Sequence, residues 1–232
     1  MKVAVVCANG RVGRFVVKEA MDRGLDVTAI ARGENGTAAK KYVCKDLFDL
    51  TAADLEGFDV VVDAFGAWAE EELPNHTKSL MHLCDILSGR KTRLAVVGGA
   101  GSLYVNKEHT AVVSDGPDFP PQFLPLAKAQ GKALEELRKR NDVQWTFISP
   151  AGDFQAEGER TGEYILAGEE LTLNSRGESI ISYADYAIAM VDEITKALGG
   201  TADITSTLGQ GTTVTITLPI YHAGQEHLHE PI

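Results

Sequence analysis

The N-terminal run Met1-Lys-Val-Ala-Val-Val-Cys-Ala-Asn-Gly-Arg-Val-Gly-Arg14 constrains this chain more than any other stretch, because it drives an apolar strand into a glycine turn and a helix. Val3 to Val6 is a short continuous apolar run of the kind found in a strand covered on both faces. Gly10 and Gly13 then open a helical pattern that ends near Gly24, with Val12, Phe15, Val16, Ala20 and Met21 on one stripe. The first N–H groups of a helix lack intrahelical partners and lie at the positive end of its dipole, so an anionic phosphate satisfies both. With a second strand following at Asp26 to Ala31, the pattern predicts a turn that cradles the pyrophosphate of a dinucleotide. The position that holds the first glycine of a G-x-x-G-x-x-G loop is Cys7, whose Cβ must fit into a tight turn.

The second strand ends at Arg32. An acidic residue there accepts from the adenosine ribose hydroxyls, whereas an arginine pairs with a 2′-phosphate, so NADP is expected over NAD, which stays an alternative. The polar stretch from Gly33 to Lys41 reads as a loop into a short strand at Tyr42 to Cys44. Asp46 and Leu47 come next, where an adenine ring is expected. Phe58 to Phe65 is a further apolar strand closed by Gly66, and its end, Ala64, Phe65 and Gly66, is expected to face the same crevice. Trp68 follows at once and is placed to stack on a ring.

A helix is predicted over Asn75 to Leu87, with Leu80, Leu83, Cys84 and Leu87 inward, and a fifth strand over Arg93 to Val97. That strand runs into Gly98-Gly-Ala-Gly-Ser102, where Gly98 and Gly99 permit close approach of the far half of a dinucleotide. Tyr104 to Pro125, with four prolines and little periodicity, reads as a long loop and substrate lid. Leu126 to Arg140 is helical, and Val143 to Ser149 is a sixth strand ended by Pro150, a further cofactor candidate. The expected architecture is α/β, a doubly wound parallel sheet. From Asp153 the composition shifts toward Gly, Glu and Arg, which suggests a small accessory segment on the substrate side. Ser182-Tyr-Ala-Asp185 has capping-box spacing ahead of a helix carrying Ala187, Ile188, Val191, Ile194 and Leu198.

At 232 residues and 44% hydrophobic content, one sizeable core is expected. With 22 basic and 33 acidic residues the net charge is −11, without a lysine or arginine cluster, which disfavours nucleic acid as a partner. No apolar run approaches a membrane span and no signal-peptide pattern opens the chain, so neither a membrane partner nor export is expected and a cytoplasmic location is. Cys7, Cys44 and Cys84 lack zinc spacing and suit reduced thiols; no metal is expected. Cys7 adjoins a helix N-terminus, where a thiolate is favoured, so partial activation with shielding by cofactor is expected of it, against the alternative of a buried, inert thiol.

The strings Val97-Gly-Gly-Ala-Gly-Ser-Leu103, Pro117-Asp-Phe-Pro120, Trp145-Thr-Phe-Ile-Ser-Pro150, Gly158-Glu-Arg-Thr-Gly162, Gly177-Glu-Ser179 and Ile181-Ser-Tyr-Ala-Asp-Tyr186 resemble the atypical short-chain dehydrogenase/reductase branch described as NADH-flavin reductases. The resemblance runs from Met1 to about Ile194. It implies a Rossmann-type fold, a nicotinamide dinucleotide as cofactor, and a flavin or quinone-like hydride acceptor as the small-molecule partner. Typical members of the wider superfamily use a tyrosine with a lysine four positions later as their acid. Here Tyr42, Tyr104, Tyr164, Tyr183, Tyr186 and Tyr221 are followed at that spacing by Asp46, Glu108, Gly168, Ala187, Met190 and Gln225, so the pair is missing. An acceptor that takes hydride into a delocalised ring tolerates that loss.

Ser102 is the remaining catalytic candidate. The cofactor candidates at the first turn are Gly10, Arg11, Val12 and Gly13, and the substrate candidates are Trp68, Tyr104 and Phe154. Two function classes stay open, a reductase and a non-catalytic NADP-binding redox sensor; a homo-oligomer also stays open. Beyond about residue 198, Leu198 to Pro219 resembles the end of a histidine-kinase ATP-binding domain. Its own pattern predicts a C-terminal β-hairpin, Ala202 to Ser206 with Thr213 to Leu218, in a segment 199–232 appended to a domain 1–198.

Overall fold

A computed structural model describes residues 1–196 and 215–217 of the chain. Its centre is a six-stranded sheet made of β1 (Lys2–Val6), β2 (Asp26–Ala31), β3 (Lys41–Cys44), β4 (Val60–Asp63), β5 (Arg93–Val97) and β6 (Gln144–Ile148). Every neighbouring pair is parallel, and the order is β3-β2-β1-β4-β5-β6. The reversal between β1 and β4 is the switch point at which such sheets open a crevice at their carboxyl ends. The expected doubly wound Rossmann-type sheet is therefore present.

Alternation along β1 explains why both faces are covered. Val3 and Val5 join one core with Val27, Ala29, Val60 and Val62, while Ala4 and Val6 join the other with Ile30, Val61, Leu94 and Val96. The first face is closed by α1 (Arg11–Asp22), through Val16, Val17 and Ala20, and by α4 (Tyr183–Lys196), through Tyr186, Met190, Val191 and Ile194. The second is closed by α2 (Asn75–Leu87), through Leu80, Leu83 and Leu87, and by α3 (Leu124–Leu137), through Ala133, Leu134 and Leu137. Removing one of these fully buried Leu, Met or Ile side chains to alanine costs roughly 2–5 kcal/mol.

Several boundaries differ from the sequence expectation. The strand expected over Phe58 to Phe65 pairs only from Val60 to Asp63, because the Asp63 carboxylate accepts from the N–H of Phe65 at 3.0 Å and turns the chain out of the sheet. The third helix begins at Leu124 rather than Leu126, with Pro125 in its first turn, where a missing N–H costs nothing. It ends at Leu137, short of Arg140.

The capping box ahead of α4 is half formed. Ser182 Oγ accepts from the N–H of Asp185 at 3.0 Å, but the Asp185 carboxylate is turned away from Ser182. It accepts from the N–H and Oγ of Thr161 and from the N–H of Gly162. A fully buried acid thus pins the Gly158–Gly162 string of the accessory segment onto α4.

That segment carries β7 (Asp153–Gln155), β8 (Ile165–Ala167) and β9 (Ile180–Ser182), with β7 parallel to β9. A last strand, β10 (Thr215–Thr217), pairs in parallel with β8. The rest of the expected hairpin, and the boundary at 198, lie outside the described residues. Among the described residues no helix is long and apolar enough to cross a membrane.

Candidate functional site

A cleft of about 1100 Å³ opens over the carboxyl ends of β1, β4, β5 and β6. At its centre the chain leaves β1 through Cys7, which holds φ at +58°, the left-handed region that glycine would adopt without strain. Gly10 precedes α1 with no side chain capping the helix, so the N–H groups of the first turn are left for a ligand. Gly10, Arg11 and Val12 line the cleft. Gly13 does not, and it serves the turn from behind. A Cβ there would lie 2.8 Å from the carbonyl oxygen of Cys7 and 2.9 Å from Ala8, so glycine is what lets α1 seat against β1.

Arg32, Asp46 and Leu47 line one end of the same cleft. The Arg32 side chain is 82% exposed and approaches the Asp46 carboxylate only to 3.7 Å. Arg11 and Arg14 are exposed and make no ion pair among the described residues. The Arg14 guanidinium lies beside Gly36, where an added Cβ would be 3.1 Å from it. In a chain of net charge −11, the weakly engaged guanidinium groups of Arg32 and Arg14 flank the loop after β2, and that of Arg11 belongs to the cleft lining, an arrangement suited to an anion. The unpaired helix start, the close-packed glycine turn and this cation group all fit a dinucleotide phosphate chain.

Ala64, Phe65, Gly66 and Trp68 line the middle of the cleft, and Gly98, Gly99, Pro150 and Phe154 line the far end. Gly98 and Gly99 line the cleft as expected, and each is also crowded by a neighbouring side chain. A Cβ on Gly98 would lie 2.3 Å from the Phe147 ring, and one on Gly99 would lie 2.1 Å from the Gln130 carboxamide oxygen. The Phe147 ring leaves no room for a side chain at Gly98, whereas the flexible Gln130 carboxamide can move aside from Gly99.

Besides Gly13, two sequence candidates fall outside the cleft lining. Ser102 Oγ donates to the carbonyl of Gly99 at 3.2 Å, so this serine braces the glycine turn. Tyr104 is stacked on His109 with ring centroids 4.0 Å apart, and its hydroxyl accepts from Arg138 at 3.2 Å. Its backbone bridges Val112 and Glu170, which places it in the tie between the long loop and the accessory segment rather than in the cleft lining. Of that long loop, Phe119, Pro120 and Phe123 do reach the cleft, where Phe123 meets Trp68 edge to face at 6.4 Å. These aromatics, with Asn9, Gln130 and Tyr183, are cleft residues that the sequence reading did not single out.

The expectation of an activated Cys7 is overturned. Burial, reinforced by the Asp63 and Asp46 carboxylates and only partly offset by Arg32, pushes its thiol up to about 12. Burial raises Cys84 to about 12 as well. At pH 8 such thiols are ionised to an extent on the order of 10⁻⁴. Iodoacetamide is expected to alkylate exposed Cys44 and to leave Cys7 and Cys84 unmodified, with or without NADPH. Peptide mapping that finds Cys7 labelled before Cys44 would contradict this account.

A family model described as NAD(P)H-binding matches residues 7–213. The chain belongs to the NAD(P)H-binding family. The family model runs past residue 198, and the histidine-kinase resemblance of the C-terminal stretch, which lies largely outside the described residues, finds no support in the comparisons.

Among similar structures is that of SP1627 from Streptococcus pneumoniae TIGR4, described as a "putative NADH-flavin reductase". It is 49% identical, with a TM-score of 0.84 over 94% of this chain and 99% of that one. The protein YwnB of Bacillus subtilis (strain 168), which carries no assigned activity in its name, is 44% identical over 197 residues, 84% of this chain and 92% of YwnB. The turn at Cys7 to Gly13 and most of the cleft lining fall within the residues that the NAD(P)H-binding family model matches.

Proposed function

We propose that the protein is an NADPH-dependent reductase that passes hydride to a planar ring acceptor of the flavin or quinone class. The observation that carries this reading is the aromatic rim of the cleft. Trp68 and Phe123 stay 64% and 45% exposed although they meet each other across its mouth. Large exposed aromatics that line a cleft are suited to a ligand ring, and about 1100 Å³ is room for a dinucleotide and a second ring system together.

The bound nicotinamide supplies the hydride. The chain's own residues then have three tasks. The first turn of α1 and the arginines fix the phosphates, the aromatic rim aligns the acceptor plane, and Phe119, Pro120 and Phe123 cover the mouth against water. A ring acceptor takes two electrons with the hydride and one proton from solvent, so no tyrosine and lysine pair is required.

The test combines a calorimetric NADPH titration with a panel of FMN, riboflavin and menadione, followed by loss of NADPH absorbance. Turnover of at least one acceptor is expected, and Trp68→Ala is expected to raise its KM about tenfold while leaving the NADPH Kd unchanged, as the loss of one stacking contact implies. Tight NADPH binding without turnover of any acceptor would instead favour a redox-sensing binding protein.

A further inference from the structure

Asn9 stands between the phosphate turn and the loop after β2, and every polar atom of its side chain is used on that loop. Its Nδ2 donates to the carbonyls of Arg32 at 3.2 Å and Glu34 at 2.8 Å, and its Oδ1 accepts from the N–H of Gly36 at 2.8 Å. The loop is held from its other side by Tyr42, whose hydroxyl donates to the carbonyl of Gly33 at 2.8 Å. Arg14 lies at the same place, against Gly36. Only a carboxamide offers two donors and an acceptor at once, so alanine or aspartate cannot make this set of bonds.

We propose that Asn9 is the positioning residue for selection of a 2′-phosphorylated adenosine. By fixing the loop that carries Arg32 to the turn that receives the pyrophosphate, it gives the 2′-phosphate site its geometry before any ligand arrives. The ordering of five loop residues is then done in the folded protein rather than on binding, which is where preorganisation raises affinity. The effect is selective, because a dinucleotide without the 2′-phosphate gains nothing from Arg32. Tyr42 acts in the same sense from β3.

This rests on the NADP reading, and the experiment separates the two. Adenosine 2′,5′-bisphosphate and 5′-AMP are titrated calorimetrically into wild type, Asn9→Ala and Tyr42→Phe, which requires neither nicotinamide nor turnover. Wild type is expected to prefer the bisphosphate. Asn9→Ala is expected to lose about tenfold or more in bisphosphate affinity and under about threefold for 5′-AMP, the scale set by hydrogen bonds that hold a loop. Tyr42→Phe is expected to lose less in the same direction, and it keeps the test decisive should Asn9→Ala fail to fold. If wild type does not discriminate the two ligands, the NADP reading falls. If wild type discriminates and both variants keep its preference, the role of Asn9 falls alone. Equal losses for both ligands would also overturn it, since they would mark a merely structural contact.

Discussion

Asp63→Asn is expected to stabilise the protein at pH 7 by roughly 2–3 kcal/mol more than it does at pH 4. The carboxyl group ends β4 beneath the cleft, is 4% exposed, and accepts one hydrogen bond, from the N–H of Phe65. Burial raises it from 3.8 to about 6. With a folded value above the unfolded one, the native state binds more protons than the unfolded state between those values. Its contribution is therefore full below about pH 3.8, is lost as pH rises through about 6, and is absent at neutrality. Asparagine keeps the acceptor for Phe65 and removes the ionisation, so wild type and variant should converge below about pH 3.8, draw apart between there and about pH 6, and stay a constant distance apart above it. Urea unfolding across that range measures the difference. A variant whose advantage is the same at every pH, or shrinks as pH rises, would show that Asp63 ionises without penalty.

Most of the scaffold was legible before the structure, and the reason is local. Asp26–Ala31, Asn75–Leu87 and Arg93–Val97 carry runs or stripes of apolar residues whose periodicity specifies their element outright. The strand at Phe58 to Phe65 was read too long because Phe58 and Phe65 are apolar without belonging to the strand, and composition does not distinguish the two. The site was legible where the chain is contiguous, as at Gly10, Arg11 and Val12, or where the topology alone delivers a residue, as at Arg32.

It was illegible where the partner is distant in sequence. Asn9 finds its partners 23–27 residues away, and the ring that crowds Gly98 belongs to Phe147 on β6. Tyr104 looked like a lid residue because nothing local announces its stacking on His109 or its tie to Glu170. Cys7 was read as activated from the helix beside it, whereas its burial and the carboxylates at Asp63 and Asp46 decide its chemistry.

Arg32→Ala is expected to weaken NADPH by roughly 10–100-fold and NADH by less than about threefold, since a charge-assisted hydrogen bond is worth roughly 1.5–3 kcal/mol and each 1.4 kcal/mol is tenfold. The guanidinium is well placed to give up its present contact, because it is 82% exposed and 3.7 Å from Asp46, a pair of little worth in water. A phosphate dianion offers shorter, bidentate bonds and more charge than that carboxylate. Exposure also makes the interaction sensitive to screening, so the gap between wild type and variant should narrow as salt is raised.

Arg14 sits at the other side of the loop against Gly36, makes no ion pair among the described residues, and can take over part of the charge when Arg32 is gone. The Arg32→Ala/Arg14→Ala double variant should accordingly lose more NADPH affinity than the two single losses together, the sign expected when each residue covers for the other. Calorimetric titration of both cofactors at low and high ionic strength reads all three effects. Equal weakening of NADPH and NADH by Arg32→Ala, or a loss that salt leaves unchanged, would place the 2′-phosphate elsewhere or remove it from the ligand.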